Sequence, residues 1–289
     1  MNAASRTPSA RLTNVVIYAL LIVCAAVTLV PFFWIITSAV KNRTDFFSSI
    51  FLPRGDGFLG VAWDRLTLEN FRRLFTEMGI PRAMLNSVFL ASVVSLLATL
   101  FCAMGGYSLA KFSFPARRWL TWLVLGAVII PPPLLLAPGF ELVYHLGLLD
   151  TYAGFILPAL APAFGVFLFR QAMLNSVPTE FIESARLDGC GEIRIFFQIV
   201  LPLVRPMIGA FLILSFLGTW NNFVGPQLIM QSVERQPLAV AMANLKGLYG
   251  IDYGLVMAGT LFSIAPIMCL FLLLQKEFIS GLTSGAVKG

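Results

Sequence analysis

Glu183, Arg186 and Asp188 lie within the seven residues Glu183-Ser184-Ala185-Arg186-Leu187-Asp188-Gly189, a charged segment set between two apolar stretches of membrane length. On a helix, Phe181, Ile182 and Ala185 fall together while Glu180, Glu183, Arg186 and Asp188 decorate the other faces. That pattern suits recognition of a partner surface. No catalytic residue is assigned to it. Ser176 is a residue type that caps a helix, with Pro178 tolerated in the first turn. Gly189 is the residue type that ends one in a left-handed conformation. A second amphipathic stretch carries Ile193, Phe196, Phe197 and Val200, and Pro202 after Leu201 marks a boundary. These residues predict a helix–turn–helix over 174–202, either an ordinary interfacial loop or a docking element.

A second polar cluster is Gly218-Thr219-Trp220-Asn221-Asn222-Phe223 at the end of an apolar run. Two adjacent amides beside an indole are costly against lipid and suit a bundle interior. Amides that donate and accept, with a ring to stack on, fit a neutral, hydroxyl-rich solute. Trp220, Asn221 and Asn222 are therefore candidates for a translocation path. The alternative is interhelical hydrogen bonding, with Trp220 as an interface anchor.

Other chemistry is excluded by residue type. No glycine is followed directly by Lys, so the phosphate-binding G-x-x-x-x-G-K-[ST] loop is missing and any ATP belongs to another chain. His145 is the one histidine, and Cys24, Cys102, Cys190 and Cys269 form no CxxC pair. Neither a metal site nor a disulfide framework is expected. The apolar stretches hold no Asp/Glu/Arg relay of the kind an ion-coupled carrier uses.

The elements that must position these residues are membrane helices. Of 289 residues 58% are hydrophobic and only 12% charged, with the apolar residues in long runs. The fold class is all-α, a polytopic membrane protein with six spans at about 15–39, 84–107, 118–139, 153–173, 203–225 and 253–275. Pro131-Pro132-Pro133 predicts that the third span is broken, toward other helices or a path, or simply for packing. Pro158, Pro162 and Pro266 carry the same signal more weakly. The net charge of +6 reads as Lys and Arg in cytoplasmic loops, not as nucleic-acid binding. Loop 108–117 is basic, whereas loop 140–152 has Glu141 and Asp150 and no Lys or Arg. That places both termini in the cytoplasm. The long outer loop 41–82 contains Thr67, which can cap a short helix with Leu68, Phe71, Leu74 and Phe75 on one face. The expected organisation is a cytoplasmic segment 1–14, a transmembrane domain 15–275 including the loop 174–202, and a cytoplasmic tail 276–289.

Glu183, Ala185 and Gly189, then Ile199, Leu201 and Pro202, match a Glu-Ala-Ala, three residues, Gly, later Ile-x-Leu-Pro pattern, with Ser184 in place of the middle Ala. On these residues the chain resembles the inner-membrane permeases of bacterial binding-protein-dependent ABC importers. It looks most like the carbohydrate-uptake branch with the six-span maltose permease subunit, and so implies the type I importer permease fold. The tail Gly281-Leu282-Thr283-Ser284-Gly285-Ala286-Val287-Lys288-Gly289 resembles that of the sugar-transporting members. Trp220-Asn221-Asn222-Phe223 also looks familiar, although relatives commonly have Asp at the position of Asn222.

The resemblance implies a sugar-import subunit of the bacterial inner membrane, embedded in lipid. It would form half of a path with a second homologous permease and be fed by an extracytoplasmic solute-binding protein. An ATPase homodimer or pair would drive it and hold the ATP and Mg; this chain would bind no cofactor. Glu183, Ala185, Arg186, Asp188, Gly189, Leu201 and Pro202 would belong to the ATPase-coupling element. Thr283, Gly285 and Lys288 would lie in a tail that reaches between the ATPase subunits, and loop 230–252 would reach toward the binding protein. The same machinery importing a polyol, a glycerol phosphate or an acidic oligosaccharide is the alternative. A stand-alone ion-coupled carrier is a more distant one.

Overall fold

The computed structural model describes residues 8–245 and 252–286, and among them every regular element is helical. Three helices are long and apolar enough to cross a membrane unbroken: Thr13–Ala39 within α1 (Pro8–Ala39), α3 (Ile80–Lys111), and Tyr253–Leu273 within α9 (Tyr253–Ala286). Three further spans exist as bent pairs. α4 (Arg117–Ile129) turns by 102° into Pro132–His145, which contains α5 (Leu136–His145). Tyr152–Ala159 turns by 40° into α6 (Ala163–Ser176), and Glu192–Leu203 by 83° into α8 (Arg205–Trp220). Counting each pair once makes six, as expected from the apolar runs.

The prolines explain two of the breaks and qualify a third expectation. Pro131, Pro132 and Pro133 remove consecutive amide donors, so α4 stops at Ile129 and a 3₁₀ turn begins at Pro132. Pro162 sits in the β region immediately before α6. Pro266, by contrast, lies inside the continuous α9, so the expected interruption of the sixth span does not occur. The sixth helix also runs on past 275 to Ala286, and the fifth stops at Trp220, short of the expected 225.

The chain divides into two compact units, Met1–Met78 with Leu245–Phe262, and Gly79–Asn244 with Ser263–Gly289. In the first, α1 is exposed over most of its length, as suits a helix apolar all round. The loop after it folds around Lys41, whose ammonium donates to the carbonyls of Ser49 (2.7 Å) and Ile50 (3.0 Å). α2 (Glu69–Thr76) is entered through Thr67, whose hydroxyl accepts the Glu69 N–H at 3.0 Å. Its buried side chains are Asn70 and Leu74, while Leu68 and Phe75 are exposed, so only part of the expected apolar face is used. Arg73 reaches Asp252 at 2.7 Å, and that hydrogen bond holds the guanidinium pKa above its ordinary value.

In the second unit, α3 is the central rod, with α6 and α8 packed on it. Small residues permit the approach. A Cβ on Gly106 would lie 2.7 Å from the backbone N of Arg170, and one on Gly165 would lie 2.5 Å from the Phe211 ring. Close backbone contact of this kind replaces the hydrophobic effect as the driving force between membrane helices. The core around it includes Cys102, Ala103, Tyr107, Phe169, Met173, Ile195, Phe196 and Phe211.

Candidate functional site

α7 (Thr179–Leu187) is the helix foreseen around Glu183, but its start differs from expectation. Ser176 is the last residue of α6 and caps nothing; Pro178 occupies the N-cap position, its fixed φ of −60° leading into the first turn. The end is as expected. Gly189 has φ +80°, and the Cys190 N–H returns to the Ala185 carbonyl at 2.9 Å, the closing bond of a Schellman turn. The boundary expected near Pro202 falls two residues on, at Val204. A π turn over Phe196–Val200 bonds the Leu201 N–H to the Phe196 carbonyl, Pro202 is accommodated in the turn that follows, and the chain bends at Val204 (φ −103°, ψ 16°).

Ile182 (1% exposed) and Ala185 (7%) point into the core beside Ile195 and Phe196. Ala185 thus fastens the helix to its own chain instead of offering contact. The exposed residues are Thr179, Glu180, Phe181, Glu183, Ser184, Arg186, Leu187 and Asp188. Leu187 is 89% exposed and Phe181 53%. Sequence reasoning grouped Phe181 with Ile182 and Ala185, of which only Phe181 is exposed, and did not single out Leu187. The signal for Leu187 was its position on the side of the helix opposite Ile182 and Ala185.

Arg186 is committed elsewhere. Its Nε donates to Glu192 Oε1 at 2.6 Å, and its guanidinium lies over the Phe112 ring, 5.7 Å from the centroid. Glu192 accepts a second hydrogen bond, from the Tyr107 hydroxyl at 3.1 Å. At the other end of α7, Lys111 donates to the Val177 carbonyl at 2.6 Å. Glu192, Tyr107 and Lys111 were not foreseen as site residues. A Glu just past the glycine turn was the one local hint.

Of the three path candidates, Asn222 lines a cleft between the helices, and Trp220 and Asn221 are not among the residues lining it. Trp220 is buried and stacked on Phe216, with centroids 5.7 Å apart. Asn221 is exposed and turns its amide back to the Leu217 carbonyl at 2.9 Å. Asn222 accepts the Gly225 N–H at 3.1 Å and lines a cleft of about 370 Å³ with Phe155, Pro158, Pro162, Ser215 and Thr219. The break before α6 opens this cleft, and no residue lining it is titratable among the described residues. Next to it, Asp150 (φ +55°) accepts the Ser232 N–H at 3.0 Å and a hydrogen bond from the Ser232 hydroxyl. Arg235 pairs with the same carboxylate at 2.8 Å. The two Ser232 donors, foremost the hydroxyl, and then Arg235 hold the Asp150 carboxyl below the usual carboxylate range. Thr283 and Gly285 lie in the backbone of α9, while Lys288 is outside the described residues.

Comparison with known proteins places these features in a family. A family of binding-protein-dependent transport system inner membrane components matches residues 95–276. The chain is 42% identical to the arabinooligosaccharides transport system permease protein AraQ of Halalkalibacterium halodurans over 225 residues, covering 78% of this chain and 80% of that protein. It is 32% identical over 290 residues to the melibiose/raffinose/stachyose import permease protein MelC of Bacillus subtilis, covering 99% of both. A crystal structure of a bacterial ABC transporter involved in the import of the acidic polysaccharide alginate contains a similarly folded chain. That likeness has a TM-score of 0.77 at 21% identity, covering 96% of this chain and all of the other. The chain belongs to the binding-protein-dependent transport system inner membrane components, as a multi-pass ABC-importer permease with a transport role and not an enzymatic one.

Proposed function

We propose that this chain is a permease subunit of an ATP-driven sugar importer. It forms half of the translocation path with a second, homologous permease. An extracytoplasmic binding protein delivers the solute, and a separate pair of ATPase subunits holds the ATP and Mg. Both termini and the loop 174–202 face the cytoplasm, with the membrane domain over 15–275 and the tail over 276–289 reaching toward the ATPase. In this reading α7 is the element through which closure of the ATPase pair is felt.

The observation that carries the reading is the outward surface of α7. Phe181 and Leu187 are apolar and exposed, Glu183 lies one turn before Leu187, and all three ride on a helix locked down by Ile182, Ala185 and the Gly189 turn. Exposed apolar knobs on a rigid mount suit a pocket on a partner. A rigid helix at an interface shifts a two-state bundle when the partner binds the two states with different affinity. On the solute side, the cleft at Asn222 offers an amide, two hydroxyls, a phenyl ring and no charge, which favours a neutral glycosyl unit over a phosphate or an acidic sugar.

The test is transport in proteoliposomes containing the assembled complex, with the cognate binding protein and a panel of arabino- and galacto-oligosaccharides. Leu187→Asp is expected to abolish ATP-driven uptake while the binding protein still binds its sugar. Undiminished uptake by that variant would remove α7 from the coupling role. Uptake of glycerol phosphate in preference to every neutral sugar would overturn the solute reading.

A further inference from the structure

The helix α3 is fastened by side chains at both ends. Near its start, Asn86 and Ser87 are buried. The Asn86 amide donates to the carbonyls of Glu234 (2.8 Å) and Gln236 (3.0 Å), and its carbonyl oxygen accepts the Tyr152 hydroxyl (2.9 Å). The Ser87 hydroxyl accepts the Leu238 N–H at 2.7 Å. The five-residue backbone stretch 234–238 is thus tied to one turn of α3. Asp150 holds the preceding residues through Ser232 and Arg235. Near the other end, Tyr107 reaches Glu192, which receives Arg186 of α7, and Lys111 reaches Val177 at the entry to α7. Hydrogen bonds near both ends thus link the nine-residue α7 to α3, directly at Val177 and through Glu192 at Arg186.

The whole of α3 is 32 residues long with no proline beyond its first turn, a continuous rod of about 48 Å that carries both clamps. Its side chains fill the core against α6 and α8. Such packing transmits displacement because close-packed interiors do not deform continuously.

We propose that α3 is a rigid lever that carries motion of α7 to the segment 232–238 on the other side of the membrane. Asn86 at one end and the Tyr107–Glu192 pair at the other are the positioning residues that fasten it. The proposal rests on the reading of α7 as the ATPase contact and adds the route and its fastenings. The far end of the lever stands beside the cleft at Asn222, so the position of α7 sets the position of the segment next to the solute cleft.

The experiment uses the full complex with its partner permease and ATPase pair, carrying genetically encoded spin labels at Ile193, just past the Gly189 turn and outside the docking surface of α7, or at Val233, both highly exposed. The probe is a non-hydrolysable ATP analogue. In the parent complex both labels are expected to shift. In Asn86→Ala and in Tyr107→Phe the Ile193 label still shifts, and the Val233 response is lost. An undiminished Val233 response in Tyr107→Phe overturns the lever. That variant removes one hydroxyl and keeps the ring contacts to Phe112 and Phe196, so it decides the matter even where Asn86→Ala fails to assemble. An Ile193 label that is silent in the parent complex would instead sink the reading of α7 as the ATPase contact.

Discussion

Asn70 donates its side-chain amide to the backbone carbonyl of Lys41 at 2.9 Å, across 29 residues, and the same amide reaches the Ala39 carbonyl at 2.9 Å. One buried side chain thus satisfies the end of α1 and the first residues after it. The Ala39 carbonyl is a last-turn acceptor that the helix cannot satisfy internally, and the Lys41 carbonyl lies just past its end. Asn70→Ala removes both donors and leaves buried acceptors behind. The expected loss is about 2–4 kcal/mol of stability, taking about 1–2 for each buried unpaired carbonyl. Thermal unfolding of the purified chain in detergent checks this. Asn70→Asp is expected to be no better, because a carboxylate cannot donate.

Gly189 is the hinge of the turn after α7, at φ +80°. A Cβ there would meet nothing within 4 Å, so the obstacle to substitution is conformational and not steric. Gly189→Ala is expected to cost about 1 kcal/mol, Gly189→Val more, and Gly189→Asn least. Transport should fall in the same order while the ATPase continues to turn over. Parallel uptake and phosphate-release assays on the three variants read the split, and equal transport by all three would contradict it.

Gly106 and Gly165 both sit where helices touch, yet they should respond differently. The atoms that a Gly106 Cβ would strike include backbone, namely Arg170 N at 2.7 Å and Phe169 C at 2.8 Å. At Gly165 they are side-chain atoms, the Phe211 ring and the Cys102 sulfur. Side chains move aside more readily than a helix backbone. Gly106→Ala is therefore expected to lower stability by about 2–3 kcal/mol or to block folding, and Gly165→Ala by less. Folded yield after gel filtration and the unfolding midpoint separate the two.

Asp150 makes the attachment of the 232–235 segment sensitive to acid. Its carboxyl pKa is depressed below 3.8, first by the Ser232 hydroxyl, then by the Ser232 N–H and Arg235. A depressed carboxylate stabilises the folded state above the unfolded pKa and loses that contribution as the pH falls through the folded one. Between pH 8 and 5 the difference in stability between the parent chain and Asp150→Asn is expected to be constant. Below about pH 4 it should shrink. Unfolding midpoints measured across that range test the sign. A difference that grows on acidification would show that the carboxylate is not the stabilising form.

The number of spans, the break at Pro131–Pro133 and the αL stop at Gly189 were all legible in the sequence. Each depends on local composition: about 20 apolar residues to cross the hydrocarbon, consecutive prolines without donors, a glycine where φ is positive. Local reasoning failed where a neighbour in space decided the outcome. Ser176 could have capped α7, but α6 continues through it. Pro266 could have interrupted the last span, but α9 is continuous through it.

By itself the sequence determined the class of molecule, a helical membrane protein with one charged, glycine-stopped helix set among its apolar spans. Hydropathy and helix-ending chemistry act over a few residues and can be read along a line. Only the tertiary structure decided which face of that helix is free. It turned Ala185 inward, left Leu187 outside and tied Arg186 to Glu192. It also chose Asn222 over Trp220 and Asn221 for the cleft. The fastenings of α3 join residues 85 and 148 positions apart, Tyr107 to Glu192 and Asn86 to Glu234. Hydrogen bonds over such separations exist only once helix packing has set the partners side by side, so no periodicity announces them.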